Sequence, residues 1–365
     1  MTSAIAHLND FGQSPWYDNV TRVMVREGGL QQLIDEDGIR GVTSNPTIFD
    51  KAIGGGEGYD EQLKELHGQG VGAEDAFWAL AVDDIGGGAD LLRPIYDRLD
   101  RGDGFISIEV SPLLAHDTKA TIAQAAALFA RLARPNILIK IPATLEGIPA
   151  IEETIAAGIN VNVTLIFSLA RHDAVIEAYL KGLERFVAGG GDPSGVSSVA
   201  SFFVSRVDTE TDPRLPDDSP LRGKAAVANA KLAYELFRKR FSGARWDALA
   251  AKGAKLQRPL WASTSTKNKA YSPTLYIDSL VGPDTVNTLA PASIDALHQG
   301  DANLRANTVA EDVEGARQVM ADLKAAGVDF DDVTDTLERE GVDSFAQSYK
   351  DLIATLEKRT AEIAA

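Results

Sequence analysis

The sequence predicts an α/β protein whose strands close into a (β/α)8 TIM barrel, with extra loops and C-terminal helices. Short apolar runs alternate with longer amphipathic stretches along the 365 residues, and eight of these runs fit strands. The hydrophobic and charged fractions, 44% and 24%, are those of an ordinary globular protein. The first and last strands are weakly marked, so the strand count alone also allows an open, doubly wound sheet.

The candidate strands are short, and most of them are apolar or alternating in character. They cover residues 14–19, 38–44, 105–110, 136–141, 158–165, 197–204, 258–263 and 285–290. The intervening stretches have helical periodicity, clearest in 172–186, where His172 lies on an apolar stripe. A last helix, with Phe345 on its apolar face, is predicted to begin at a capping box formed by Ser344 and Gln347.

Two connections between strands are longer than a single helix requires. They lie near residues 45–104 and 207–257, and the second contains a Pro- and Asp-rich stretch. We interpret both as insertions in one barrel domain that spans residues 1–365, and not as linkers between domains.

Composition excludes several classes of function. The chain has no cysteine, which excludes disulfides, thiolate metal sites and a cysteine nucleophile. The formal net charge of −17 argues against a nucleic-acid or anionic-membrane partner. The five histidines lack metal-ligand spacing, and we expect neither a metal nor a cofactor. Residues 1–14 do not resemble a signal peptide and no apolar run reaches about 20 residues, so a cytoplasmic protein is expected.

One lysine interrupts an otherwise apolar strand. In NILIKIP (136–142) the alternation of a strand places three isoleucines on one face, and Leu138 and Lys140 on the other. We expect Lys140 to point into the barrel near the C-terminal strand ends, where such barrels hold their active sites. Desolvation favours a neutral amine, which is a nucleophile able to form a Schiff base with a carbonyl. This strand alone is equally consistent with a lysine that is paired with a carboxylate.

Polar residues occupy the equivalent face of neighbouring strands. They are Thr43, Asn45, Ser107, Glu109, Asn160, Asn162, Thr164 and Ser201. Burying one such group without a partner costs on the order of 1–3 kcal/mol, so a purely structural barrel would keep few of them. We therefore predict that they form an active site, with a self-satisfied polar network as the alternative.

Two cations follow predicted strands. Arg206 ends SFFVSR and Lys267 lies in LWASTSTKN, so both are expected near each other at the C-terminal rim of the barrel. Such a pair suits a phosphate group, although either residue taken singly is also consistent with a surface charge.

Taken together, these strings resemble the transaldolases, in their long, Schiff-base-forming class I form. The resemblance is carried by GVTSNPTI (41–48), ILIKIPATLEGIPA (137–150), GINVNVTLIFS (158–168) and the segment with Ser201 and Arg206. It extends from about Asp18 to Asn268. The resemblance implies transfer of a dihydroxyacetone unit from sedoheptulose 7-phosphate or fructose 6-phosphate to glyceraldehyde 3-phosphate or erythrose 4-phosphate. That reaction belongs to the non-oxidative pentose phosphate pathway.

The resemblance also implies roles for single residues. Lys140 matches the Schiff-base lysine, and Asp18 matches the aspartate that takes and returns the proton of the hydroxyl beside the broken bond. Glu109 and Thr164 match the pair that holds a water used in carbinolamine formation and dehydration. The implied substrate-binding residues are Asn45 and Asn162 for the dihydroxyacetone hydroxyls, Ser201 for a further contact, and Arg206 and Lys267 for phosphate.

Two positions depart from the family pattern, and a third separates the chain from shorter relatives. Lys267 stands where many relatives have a second phosphate-binding arginine, so the charge is kept but the bidentate fork is lost. Asp18 lies in PWYDN and not in the commoner context of small residues. Phe203 falls where short fructose 6-phosphate aldolases have a tyrosine, which favours transfer over cleavage. Cleavage of fructose 6-phosphate and a non-catalytic sugar-phosphate-binding barrel are the alternatives, and the sequence allows a monomer or a homodimer.

Overall fold

A computed structural model describes residues 3–364, in which eight parallel strands form a closed barrel. The strands pair in chain order, and β1 pairs with β8 to complete the ring. They are β1 (Gln13–Tyr17), β2 (Gly41–Val42), β3 (Phe105–Glu109), β4 (Ile137–Pro142), β5 (Val161–Ile166), β6 (Ser198–Phe203), β7 (Gln257–Ala262) and β8 (Thr285–Leu289). The predicted (β/α)8 barrel is thus confirmed, and the doubly wound sheet is excluded.

All eight predicted strands are present, and β2 departs most from its expected length. Gly38, predicted to begin this strand, instead ends the preceding helix with a left-handed φ of 66°. Gly41 then passes directly beside the indole of Trp16, whose atoms lie 2.4 Å from where a Cβ would stand. Only glycine allows this close approach of β2 to β1, so the sequence here reflects packing rather than strand propensity.

Helices fill the connections between the strands and surround the barrel. They are α1 (His7–Asp10), α2 (Arg22–Arg26), α3 (Gly29–Asp37), α4 (Pro46–Gly54), α5 (Asp60–Gly68), α6 (Ala73–Arg98), α7 (Thr118–Leu132), α8 (Gly147–Ala156), α9 (Leu169–Ala188), α10 (Ser205–Thr211), α11 (Ala225–Arg240), α12 (Ala244–Ala250), α13 (Leu275–Ser279), α14 (Pro291–Gln299), α15 (Val313–Ala325) and α16 (Phe330–Ala364). The long connection at 45–104 contains α4, α5 and α6, and the connection at 207–257 contains most of α10 together with α11 and α12.

The predicted start of the last helix is wrong. Ser344 and Gln347 lie inside α16, which begins at Phe330. The observed cap is Asp329, whose carboxylate accepts a hydrogen bond from the backbone N–H of Asp332 at 3.2 Å. A polar pair with capping-box spacing also occurs on the exposed face of a continuous helix, so the spacing alone did not locate the helix end.

His172 lies on the apolar stripe of α9, as predicted, and is fully buried. Its ring meets the ring of Phe202 edge-on, with centroids 5.6 Å apart, and neither ring nitrogen has a hydrogen-bond partner among the described residues. Burial therefore lowers the pKa of His172 to about 4, because an imidazolium there would be desolvated and unpaired.

This buried imidazole makes folding stability depend on pH. Between about pH 4 and pH 6.5 the unfolded chain binds a proton at this position that the folded chain does not. The free energy of unfolding should therefore fall with decreasing pH, by up to about 1.4 kcal/mol per pH unit from this residue. We expect His172→Leu to remove that contribution in urea unfolding at pH 4.5, 5.5 and 6.5, while the exposed-site control His67→Gln keeps it. An unchanged slope in His172→Leu would contradict the assignment.

Candidate active site

A cavity of about 250 Å³ opens at the C-terminal ends of the barrel strands. Seven of the nine predicted site residues line it: Asp18, Asn45, Lys140, Thr164, Ser201, Arg206 and Lys267. Glu109 and Asn162 lie directly behind this wall, where Glu109 contacts Lys140 and Asn162 contacts Ser201. The structure thus brings all nine residues to one end of the barrel, where (β/α)8 enzymes hold their active sites.

Lys140 lies on β4, in register with Glu109 on β3 and with Asn162 on β5. Its side chain is 6% exposed, and its Nζ lies 3.4 Å from Oε2 of Glu109. The ammonium also donates a hydrogen bond to the carbonyl of Ser44 at 3.2 Å and lies 5.7 Å from the ring centre of Phe345. A single amine is therefore held between a carboxylate, a carbonyl and an aromatic face at the base of the cavity.

Glu109 and Thr164 each bring a buried oxygen to this region. Burial raises the pKa of Glu109, the positive charge of Lys140 opposes that rise, and Asp18 adds to it. Oε2 of Glu109 lies 3.4 Å from Nζ of Lys140 but makes no well-directed hydrogen bond among the described residues, and Oγ1 of Thr164 has no hydrogen-bond partner there. Buried polar atoms in proteins are nearly always hydrogen-bonded, so these two oxygens favour an ordered water or a substrate group at this point.

Asp18 follows β1 and is oriented from two neighbouring strands. Its backbone N–H donates to the carbonyl of Leu289 at 2.9 Å, and Thr43 donates its hydroxyl to Oδ1 at 2.6 Å. Thr43 is itself fixed, since its N–H donates to the carbonyl of Tyr17 at 2.9 Å. The short hydroxyl–carboxylate bond holds Asp18 at the cavity wall in a defined orientation.

The two predicted substrate amides differ in how far the protein already engages them. Asn45 caps α4, since its Oδ1 accepts from the N–H of Ile48 at 3.0 Å, and this leaves its Nδ2 group for the cavity. Asn162 is fully buried between two serines. Its Nδ2 donates to Ser107 at 3.0 Å, and its Oδ1 accepts from Ser201 at 2.7 Å. The alternative of a self-satisfied polar network therefore fits Asn162 in part, whereas Ser201 reaches the cavity itself.

Besides Lys140, three basic side chains line the cavity. Arg206 is the second residue of α10, and burial lowers its pKa while Asp18 and Glu340 act in the opposite direction. Its guanidinium lies 5.3 Å from the ring centre of Phe203. Lys267 lies exposed in the loop between β7 and α13, and Lys51 projects from α4. Three positive side chains at one cavity of an otherwise acidic protein favour an anionic ligand.

Several cavity residues were not singled out by the sequence analysis as site residues. They are Thr47, Lys51, Ser263, Ser265, Thr288 and Phe345. Ser263 has a positive φ of 56°, and its carbonyl accepts from the N–H of Ser205, which begins the helix that carries Arg206. Phe345 comes from α16 and was predicted only as part of an apolar stripe. Periodicity identifies a buried face but does not say which element it will cover.

Within residues 3–364, no group of three or more His, Asp or Glu side chains is arranged to hold a metal ion. None of the helices in this range is long and apolar enough to cross a membrane.

A closed parallel barrel with a buried lysine, a buried carboxylate and rim cations at its C-terminal mouth is an arrangement typical of (β/α)8 enzymes. A family model described as Transaldolase/Fructose-6-phosphate aldolase matches residues 15–356. The chain belongs to this family, as the resemblance of its motifs predicted.

Similar proteins match along nearly their whole length. The Transaldolase of Parafrankia sp. (strain EAN1pec) is 49% identical over 364 residues, which cover 98% of each chain. Transaldolase 2 of Streptomyces avermitilis is 47% identical, over 100% of this chain and 99% of the relative. The Transaldolase of Thermobifida fusca is 48% identical over 97% of each chain.

Proposed function

We propose that this chain catalyses the transaldolase reaction. It transfers a dihydroxyacetone unit from sedoheptulose 7-phosphate or fructose 6-phosphate to glyceraldehyde 3-phosphate or erythrose 4-phosphate, through a Schiff base on Lys140. The observation that carries this proposal is the position of Lys140: 6% exposed, 3.4 Å from Glu109, at the base of a cavity rimmed by cations. Relatives named Transaldolase, at 47–49% identity over nearly the whole chain, support it.

The first step is attack of the Lys140 amine on the ketose carbonyl, which gives a carbinolamine. Loss of water from this carbinolamine requires a proton donor to the leaving hydroxyl. Glu109 fits that role, because burial raises its pKa above that of an ordinary glutamate. Oγ1 of Thr164 lacks a hydrogen-bond partner among the described residues and Oε2 of Glu109 has only its 3.4 Å contact with Lys140, so these two oxygens are suited to hold the water that carries the proton.

In the second step the carbon–carbon bond breaks. Asp18, oriented by Thr43, takes the proton of the hydroxyl beside the bond, and the electron pair of the C3–C4 bond moves toward the iminium nitrogen. The first aldose leaves, and a three-carbon enamine remains on Lys140. The Nδ2 group of Asn45 and the hydroxyl of Ser201 line the same cavity and can hold its hydroxyls. The second aldose phosphate enters, and the steps run in reverse.

The phosphate of each substrate lies at the end of the sugar that is remote from the reacting carbonyl. Arg206 and Lys267 are the cations we assign to it. Arg206 forms no salt bridge among residues 3–364 and lies partly buried, so its guanidinium is available to a phosphate without first breaking an ion pair.

Cleavage without transfer is the main alternative, and Phe203 argues against it. Its ring lines the cavity and packs on Phe167, with centroids 5.1 Å apart. A phenyl ring has no hydroxyl with which to position a water against the enamine. Transfer to a second aldose is therefore favoured over hydrolysis.

We expect the purified chain, in excess EDTA, to convert fructose 6-phosphate and erythrose 4-phosphate to sedoheptulose 7-phosphate and glyceraldehyde 3-phosphate. The Schiff base, and not a metal, activates the carbonyl. Products are followed by chromatography and a coupled dehydrogenase assay. Free dihydroxyacetone from fructose 6-phosphate alone, formed as fast as transfer, would favour the cleaving enzyme. Binding of sugar phosphates with no turnover would favour a non-catalytic barrel.

A further inference from the structure

The loop at residues 263–274, between β7 and α13, carries Lys267 and is tied to another part of the barrel rim. Tyr271 at the end of this loop donates its hydroxyl to Oδ2 of Asp212 at 2.6 Å. Just beyond it, Tyr276 donates its hydroxyl to Oδ2 of Asp208 at 2.9 Å. Both carboxylates belong to α10 or to the residues directly after it, and α10 also carries Arg206.

Tyr271 contacts a defined site that is formed by Asp212 and Gly223, and we call this site its seat. Asp212 is 6% exposed, and its Oδ1 accepts from the N–H of Gly223 at 2.9 Å. Gly223 has a φ of 71°, and a Cβ there would stand 2.8 Å from Cζ of Tyr271. The tyrosine ring therefore lies on the backbone of Gly223 while its hydroxyl meets the carboxylate. The segment at 207–225, to which the sequence analysis gave no role, supplies this seat.

The second hydrogen bond, between Tyr276 and Asp208, is buried. Oδ1 of Asp208 accepts from the N–H of Ala226 at 2.8 Å, and burial raises the pKa of this carboxyl to about 6. Each aspartate thus uses one oxygen for a backbone N–H and the other for a tyrosine hydroxyl. The two tyrosine hydrogen bonds connect the loop of Lys267 and the start of α13 to α10 and the residue after it, and the two backbone hydrogen bonds connect these aspartates to residues 223–226.

Lys267 stands between two cavities. It lines the active-site cavity, and it also lines an adjoining cavity of about 280 Å³ that contains Asp208, Asp212, Tyr271 and Tyr276. An exposed lysine side chain is flexible, so the position of its backbone decides which cavity its ammonium reaches. Because the hydroxyl of Tyr271 fixes this loop to Asp212, and that of Tyr276 fixes the start of α13 to Asp208, the backbone of Lys267 is held beside the active-site cavity.

We propose that Tyr271, seated on Asp212 and Gly223, is a positioning residue that holds Lys267 in the active-site cavity. It thereby sets the preference of the enzyme for phosphorylated over non-phosphorylated sugars. The inference rests on the proposed role of Lys267 in phosphate binding, and it assigns a function to the 207–225 segment.

The substitution Tyr271→Phe tests this proposal, because it removes only the hydroxyl that binds Asp212. In Tyr271→Phe we expect the KM for fructose 6-phosphate to rise about three- to tenfold with kcat nearly unchanged, because one hydrogen bond to a charged group is lost and only binding is affected. The kcat/KM for unphosphorylated fructose should not change. Inorganic phosphate, used as a competitive inhibitor, should bind more weakly by the same factor. Asp212→Asn, which keeps the shape of the seat and removes its charge, should shift the same quantities in the same direction.

Two further variants complete the experiment. Tyr179→Phe is the matched control, since its hydroxyl donates to the carbonyl of Lys255 at 2.7 Å, remote from the active-site cavity, and we expect all constants to be unchanged. In a Lys267→Ala background, Tyr271→Phe should have no further effect on the KM. Thermal unfolding of each variant verifies that it is folded.

The outcomes separate the two proposals. If Lys267→Ala changes neither the KM nor phosphate inhibition, the phosphate role of Lys267 is wrong. If Lys267→Ala weakens phosphate binding but Tyr271→Phe and Asp212→Asn do not, or if Tyr271→Phe acts equally in the Lys267→Ala background, the positioning role of Tyr271 is wrong.

Discussion

Replacing Lys140 with alanine should lower kcat by a factor on the order of 10⁴ or more while the barrel still folds. The amine is the proposed nucleophile, and no other lysine lies as deeply in the active-site cavity: Lys51 and Lys267 are exposed, whereas Lys140 is 6% exposed. The substitution leaves Glu109 buried without its cation. Its pKa, which Lys140 now lowers, then rises further, and the neutral carboxylic acid is tolerated in the core.

Borohydride reduction provides the direct measurement. Incubating the wild-type chain with fructose 6-phosphate in excess EDTA, followed by reduction and peptide mass mapping, should place a stable three-carbon adduct on Lys140. Lys231→Met is a matched control, because its ammonium donates to the carbonyl of Glu311 at 2.7 Å and burial lowers its pKa, yet it lies outside the cavity. That variant should keep full activity and full labelling of Lys140. Retained turnover in Lys140→Ala, or an adduct on a different lysine, would refute the covalent mechanism.

Asp18→Asn should lower kcat by about 10²- to 10⁴-fold, the range for removal of a general base. Asparagine has the same shape, and its amide oxygen can still accept from Thr43, so the geometry of the site is preserved while the proton acceptor is lost. Schiff-base formation on Lys140 precedes the step that needs Asp18. The uncleaved substrate should therefore accumulate on the enzyme.

The size of the trapped adduct distinguishes this result from general damage. Borohydride reduction of Asp18→Asn with fructose 6-phosphate should yield a six-carbon phosphorylated adduct on Lys140, where the wild type yields three carbons. Asp10→Asn, at an exposed position whose side chain is 68% accessible, should behave as wild type. A three-carbon adduct formed at the normal rate in Asp18→Asn would assign the proton transfer to another group.

The features that could be predicted from the sequence are those that depend on the alternation of apolar and polar residues along a strand. Lys140 and Glu109 each interrupt an apolar strand, and an alternating pattern fixes the face on which such a residue lies. Parallel strands of similar length then bring both residues to the same end, as the observed pairing of Glu109 with Lys140 shows. The family motifs added the order of the strands and the expected chemistry.

The features that were missed depend on contacts between distant segments. The start of α16 was misplaced because an amphipathic helix has no internal mark that separates its first turn from its middle. Lys51 lies on a helix, and nothing in its surroundings distinguishes it from a surface lysine until α4 packs beside the cavity. The bond between Tyr271 and Asp212 joins two loops, and neither loop has a periodic pattern.

The position of α16 in the chain determines when its part of the active site is synthesised. Phe345 lies beside Lys140, and the same helix is held by Ser348, which hydrogen-bonds to Thr47, and by Tyr349, which hydrogen-bonds to Glu74. All eight strands precede this helix in the chain. During synthesis the eight strands are therefore made before the helix whose Phe345 ring lies beside the Lys140 amine. Removal of α16 would accordingly leave all eight strands in the chain and take away the aromatic ring that lies beside this amine.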